Sequence, residues 1–69
     1  MKLHYYPETD SLYIDLLDRA AADSQEVADG VVLDLDADGV LVGIDVEHAS
    51  ERVDLSCVET AELPEPRSA

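Results

Sequence analysis

The sequence predicts a mainly β fold of the α+β kind: an antiparallel meander of four or five strands built from hairpins, with a short C-terminal helix. Three observations predict it. In residues 31–36 Val31, Leu33 and Leu35 alternate with Val32, Asp34 and Asp36; in residues 40–46 Val40, Val42, Ile44 and Val46 alternate with Leu41, Gly43 and Asp45. That period of two belongs to a strand buried on one face. Between the runs, Asp38-Gly39 is a hairpin-turn signal, because the favoured tight turns need positive φ. The third observation is size. A chain of 69 residues with no Trp and no Phe makes one small domain with a one-sided sheet, whose apolar face is expected to be covered by dimerisation.

The elements follow in order. Residues 2–6 set Leu3 and Tyr5 against His4 and Tyr6 as a short strand. Pro7-Glu8-Thr9-Asp10-Ser11 is turn chemistry, with Pro7 suited to the second position of a type I turn. In residues 12–17 Leu12, Ile14 and Leu16 take one face, Tyr13 and Asp15 the other. A four-residue connection then pairs Tyr6 with Ser11 and puts Tyr5 opposite Leu12 on the apolar side. Residues 18–22 (DRAAA) are a connector with too few alanines to hold a helix. Gln25-Glu26-Val27 reads as an edge strand whose charge discourages aggregation, running into the turn Asp29-Gly30. For the central hairpin an even loop is expected, pairing Leu35 with Val42, Leu33 with Ile44 and Val31 with Val46. A three-residue loop without a compensating bulge would bring Asp34 opposite Val42. Ser50 is expected to cap a turn through Glu51-Arg52-Val53. Leu55 and Val58 place a short helix over residues 53–63, capped by Asp54 or Ser56 and stopped by Pro64 and Pro66. The domain is expected to span residues 1–63, with 64–69 a disordered tail.

Charge narrows the function classes. Four basic residues against 17 acidic ones give a formal charge of −13. Such a surface repels phosphate backbones and anionic lipid, so neither nucleic acid nor a membrane is an expected partner. A basic protein is the complementary expectation. The one cysteine, Cys57, offers no internal disulfide and fits a reducing cytoplasm. The opening MKLHYY has no apolar stretch of signal-peptide or membrane-span length, so a cytoplasmic location is expected.

Several residues invite chemical readings. Asp34, Asp36, Asp38 and Gly39 occupy positions one, three, five and six of a calcium loop, with Asp45 on position twelve. Such a loop lies between helices, whereas these flanks alternate as strands. The plain hairpin is preferred, and calcium or small-ligand binding at these residues is the alternative. His4, Tyr6, Tyr13 and Asp15 share the outer face of the first hairpin, where His4 oriented by Asp15 would need a third polar anchor to act as a base or ligand. His48 near Glu47 and Glu51 lacks the spacing of a transition-metal site. Cys57 lies between Asp54 and Glu59, surroundings that do not activate a nucleophile, and a buried or inert thiol is expected. Gly30, Gly39 and Gly43 each have a turn or packing reason and form no phosphate-binding loop. No catalytic constellation emerges, so a non-enzymatic protein without a cofactor is expected. Tyr5, Tyr6, Tyr13 and Asp15 are the interface candidates, Tyr13 foremost, because tyrosine is enriched at binding surfaces.

One resemblance rests on motif order. Tyr5-x-Pro7-Glu8-x-Asp10-x-Leu12-Tyr13-Ile14, then Val32-Leu33-Asp34-x-Asp36-x-Asp38-Gly39, then Val42-Gly43-Ile44-Asp45-Val46 and Ala49-Ser50 resemble the bacterial family called domain of unknown function DUF2283. The likeness covers about residues 1–53; Asp45 stands where relatives more often carry Glu. It implies a small, cytoplasmic, predominantly β protein with no catalytic residues to carry over. Because some relatives are encoded beside toxin-like proteins, it also implies an antitoxin role for part of the family. That is association rather than mechanism, but it agrees with the acidic charge.

Overall fold

The computed structural model describes residues 1–59. They form a five-stranded antiparallel open sheet of β1 (Lys2–Tyr6), β2 (Ser11–Asp15), β3 (Asp23–Ala28), β4 (Val31–Leu35) and β5 (Leu41–Val46), followed by the short helix α1 (Ala49–Arg52). The spatial order is β1-β2-β5-β4-β3. The β1–β2 hairpin and the β3–β4–β5 meander are therefore joined where β5 returns beside β2. The connector after β2 must cross to the far edge of the sheet. Two contacts hold its path: Ala22 N–H donates to the Leu35 carbonyl at 2.8 Å, and Arg19 Nη1 meets Asp36 Oδ2 at 3.1 Å.

Register decides what the two faces carry. Across the strands run the apolar rows Leu3–Ile14–Ile44–Leu33–Gln25 and Tyr5–Leu12–Val46–Val31–Ala28. On the opposite face run His4–Tyr13–Asp45–Val32–Glu26 and Lys2–Asp15–Gly43–Asp34–Ser24. The alternation in sequence thus becomes one apolar and one acidic face. Tyr6 opposite Ser11 and Tyr5 opposite Leu12 match the register expected of the first hairpin. The core lies where α1 seats on the apolar face: Leu12, Val46 and Ala49 are buried, with Ile14 and Ile44 packed against them.

The central hairpin corrects the expectation of an even loop. Val31 does pair with Val46 and Leu33 with Ile44, but Leu35 pairs with Leu41, across an irregularity between Asp34 and Leu35. The loop is a three-residue one, Ala37-Asp38-Gly39, closed by Gly39 N–H to Asp36 O at 3.0 Å and Asp36 N–H to Val40 O at 2.8 Å. Gly39 holds φ 80°, the left-handed position such a loop requires. The bulge then restores parity, which is how an odd loop coexists with a single apolar face. Asp36 makes this turn possible. Only 8% exposed, its Oδ1 accepts the N–H groups of Asp38 and Val40, both at 2.9 Å.

The helix also begins elsewhere than expected. It occupies Ala49–Arg52, and Val53 is already extended at φ −131°, ψ 137°. Residues 53–59 contain no helix; the remainder of the expected 53–63 helix and the expected tail over 64–69 lie outside the described residues. Asp54 accepts both the N–H and the Oγ–H of Ser56, at 3.0 and 2.6 Å, a local turn that competes with helix formation. Ser50 is not the cap. The N-cap position belongs to His48, in the left-handed region at φ 53° and with no capping side-chain bond. Among the described residues no helix is long and apolar enough to cross a membrane.

Candidate functional site

The acidic face is organised by one tyrosine. Tyr13 on β2 lays its ring across β5 above Gly43, and its hydroxyl donates to Asp34 Oδ2 on β4 at 3.0 Å. A Cβ at Gly43 would fall inside the phenol. Gly43 has no positive φ, so its role is to leave room for the ring. Ser24 on β3 donates to the other oxygen, Asp34 Oδ1, at 2.9 Å. One carboxylate thereby links three strands, with β5 passing beneath.

Asp45 stands beside Tyr13 in the same row. Its carboxyl is pushed above the ordinary carboxylate value, first by burial and then by the negative charges of Glu47 and Asp34. Tyr13 itself is raised by burial, by donating to Asp34, and by the charges of Asp34, Asp15 and Asp45. Carboxylates that repel one another across a sheet destabilise their own ionised forms. A cation brought to this face relieves that repulsion.

On the apolar side Asp10 makes the opposite arrangement. It sits in the left-handed region at φ 52° and gathers donors: Tyr5 Oη at 2.7 Å, Ser50 N–H at 3.1 Å and Ser50 Oγ at 2.7 Å. Its carbonyl accepts Ala49 N–H at 2.9 Å. The free N–H groups opening α1 are thus satisfied by a residue 40 positions away in the chain. Bonds from Ser50 and then Tyr5 hold the Asp10 carboxyl below its ordinary value.

The interface candidates divide between these two places. Tyr13 and Asp15 share the acidic face with His4 and Tyr6, as the outer-face reading expected. Tyr5 belongs to the apolar face and its hydroxyl is engaged by Asp10. The calcium residues do not converge: Asp34 is held by Tyr13 and Ser24, Asp36 by turn N–H groups and Arg19, and Asp45 lies on the acidic face. Among the described residues no group of three or more His, Cys, Asp or Glu side chains is placed to hold a metal ion. His48 approaches Glu51 at 3.8 Å, both well exposed. Cys57 is exposed rather than buried, with Glu59 Oε1 at 3.9 Å from its Sγ. The Asp10–Ser50 and Arg19–Asp36 pairs were missed from sequence, since no local pattern announces either; the only signal was that Asp10 and Ser50 both fall in the recurring motifs.

These features define a small antiparallel β protein with a polarised sheet, closed on one side by a helix and crossed on the other by a tyrosine. Residues 2–50 match the family described as Protein of unknown function (DUF2283), and the chain belongs to it. No curated protein matches the chain. No solved structure matches it either.

Proposed function

We propose that this protein is a non-enzymatic interaction module that presents its acidic sheet face to a basic protein, as an antitoxin covering a small basic toxin would. The observation that carries the reading is Asp45, whose carboxyl is held up by burial and by Glu47 and Asp34. Like charges packed around a tyrosine gain from a Lys or Arg brought among them, and Tyr13 offers a rigid amphipathic contact at their centre. The free thiol of Cys57 suits a reducing cytoplasm as the place of action. Capture from a lysate of the source organism, at low and moderate salt, tests the proposal beside the double variant Asp15→Asn/Asp45→Asn. The expected result is one stoichiometric basic partner, released as salt rises and held more weakly by the variant. A partner retained equally by the variant and at high salt contradicts the reading.

Calcium or a small ligand at Asp34, Asp36, Asp38 and Asp45 is the competing reading. It would require Asp36 to give up the turn N–H groups it accepts. A calorimetric titration with millimolar calcium is expected to give neither heat nor a shift in unfolding midpoint.

A further inference from the structure

We propose that a second copy of this chain docks along the open edge of β1, pairing β1 with β1 in antiparallel register and extending the sheet through both copies. As an edge strand, β1 turns alternate backbone N–H and C=O groups outward with no partner. All five of its side chains are exposed, and they include Leu3 at 46%, Tyr5 at 44% and Tyr6 at 53%. Beside this edge, on the apolar face, lies a groove of about 660 Å³ lined by Leu3, Tyr5, Val53, Leu55 and Val58, with the carboxylates of Asp54 and Glu59 also along it. Val53, Leu55 and Val58 are themselves exposed, so edge and groove form one continuous apolar patch of the kind that marks an interaction surface.

Charge selects the occupant. Among the five strands of the described residues β1 alone has no carboxylate: β2 carries Asp15, β3 Asp23 and Glu26, β4 Asp34 and β5 Asp45. The side chains of β1 itself offer a basic partner no counter-charge, the nearby carboxylates being Asp10 on Tyr5 and Asp54 and Glu59 in the groove. Two copies of a chain carrying −13 meet with least repulsion where the paired strands carry no carboxylate. The opposite edge, β3, would bring Asp23 and Glu26 of both copies together. A two-fold axis through His4 gives the longest overlap of the Lys2–Tyr6 strand. It sets Leu3 opposite Tyr5 of the second copy and Lys2 opposite its Tyr6. An interface of this kind is self-complementary. The axis stands normal to the sheet, so the apolar rows continue across the junction and the two acidic faces lie on the same side.

Sedimentation equilibrium of the full chain tests the proposal, with wild type beside Leu3→Glu and Val27→Glu. Val27 lies on the β3 edge and is likewise exposed, so it controls for added charge. The expected result is a dimer lost in Leu3→Glu and kept in Val27→Glu, with circular dichroism unchanged in both. Oxidative cross-linking of His4→Cys in a Cys57→Ser background reads the register without disturbing the apolar patch. Residues directly opposite in an antiparallel pair lie about 4.5–5.5 Å apart at Cα, within disulfide reach. The two introduced thiols are expected to join into a covalent dimer, and thiols introduced by Val27→Cys in the same background are not. A monomer at every concentration overturns the proposal. So does a dimer lost in Val27→Glu but kept in Leu3→Glu, or a dimer that His4→Cys fails to cross-link.

Discussion

Asp10 and Asp45 are the same residue type on opposite sides of one sheet, and their carboxyl groups are shifted in opposite directions. Asp10 is surrounded by donors from Tyr5 and Ser50 and is held below its ordinary value. Asp45 is half-buried among carboxylates and pushed above it. Donors stabilise an anion, while burial and like charge oppose it. Both sides of the sheet use a carboxylate to hold the chain together, Asp10 by accepting from Tyr5 and Ser50 and Asp34 by accepting from Tyr13 and Ser24. Asp45 differs in that burial, and then the charges of Glu47 and Asp34, oppose its ionised form.

The largest effect should come from the core beneath the Asp10 clasp. Leu12 is 5% exposed and packs with Val46 and Ala49. Leu12→Ala is expected to cost about 2–5 kcal/mol in urea unfolding, enough to leave so small a domain mostly unfolded. Next is the acidic face. Gly43→Ala must displace the Tyr13 ring from its path to Asp34, at a cost of about 1–3 kcal/mol for the overpacking. Most of that cost should vanish in a Tyr13→Ala background, because the two sites are coupled. If the cost survives in that background, the backbone of Gly43 matters for a reason other than the tyrosine.

The carboxylates themselves give the smaller effects, of opposite sign. Asp10→Asn, which tolerates the left-handed backbone, should lower the unfolding midpoint by several degrees at neutral pH. The folded value of Asp10 lies below its unfolded one, near 3.9 in unperturbed peptides. Its contribution is therefore complete above about pH 4 and fades as pH falls through the folded value. The gap between variant and wild type should close in acid. Asp45→Asn should slightly raise the midpoint at neutral pH. Here the folded value lies above the unfolded one, so the contribution of Asp45 is complete below about pH 4 and lost as pH rises through the folded value. The gain from the variant should thus shrink on acidification. Thermal melts across pH 3–7 would check both; gaps of the same sign would erase the contrast.

Much of the sheet was legible in sequence because it rests on local repetition. Val31, Leu33, Ile44 and Val46 alternate, Tyr5 and Leu12 are brought together by the length of the Pro7–Asp10 turn, and the family motifs follow the hairpins. What could not be read depended on residues far apart in the chain. An odd loop at Asp38-Gly39 is acceptable only because a bulge follows at Val42, and the two look the same as an even loop in the pattern of apolar residues. Capping by Asp10 fixes the start of α1 at Ala49 from across the sheet, whereas sequence could offer only the neighbouring Ser50. The passage of Tyr13 over Gly43 to Asp34 needs the β2-β5-β4 order. That order is set by the crossover after β2, which carries little pattern of its own.

The contrast at the centre of this account can be measured directly by following the side-chain carboxyl resonances of Asp10 and Asp45 in one NMR pH titration of the native chain. Asp10 is expected to titrate below, and Asp45 above, the ordinary aspartate value of about 3.9. Coincident midpoints, or Asp10 titrating above Asp45, would contradict the contrast between a carboxylate held by donors and one opposed by burial and like charge.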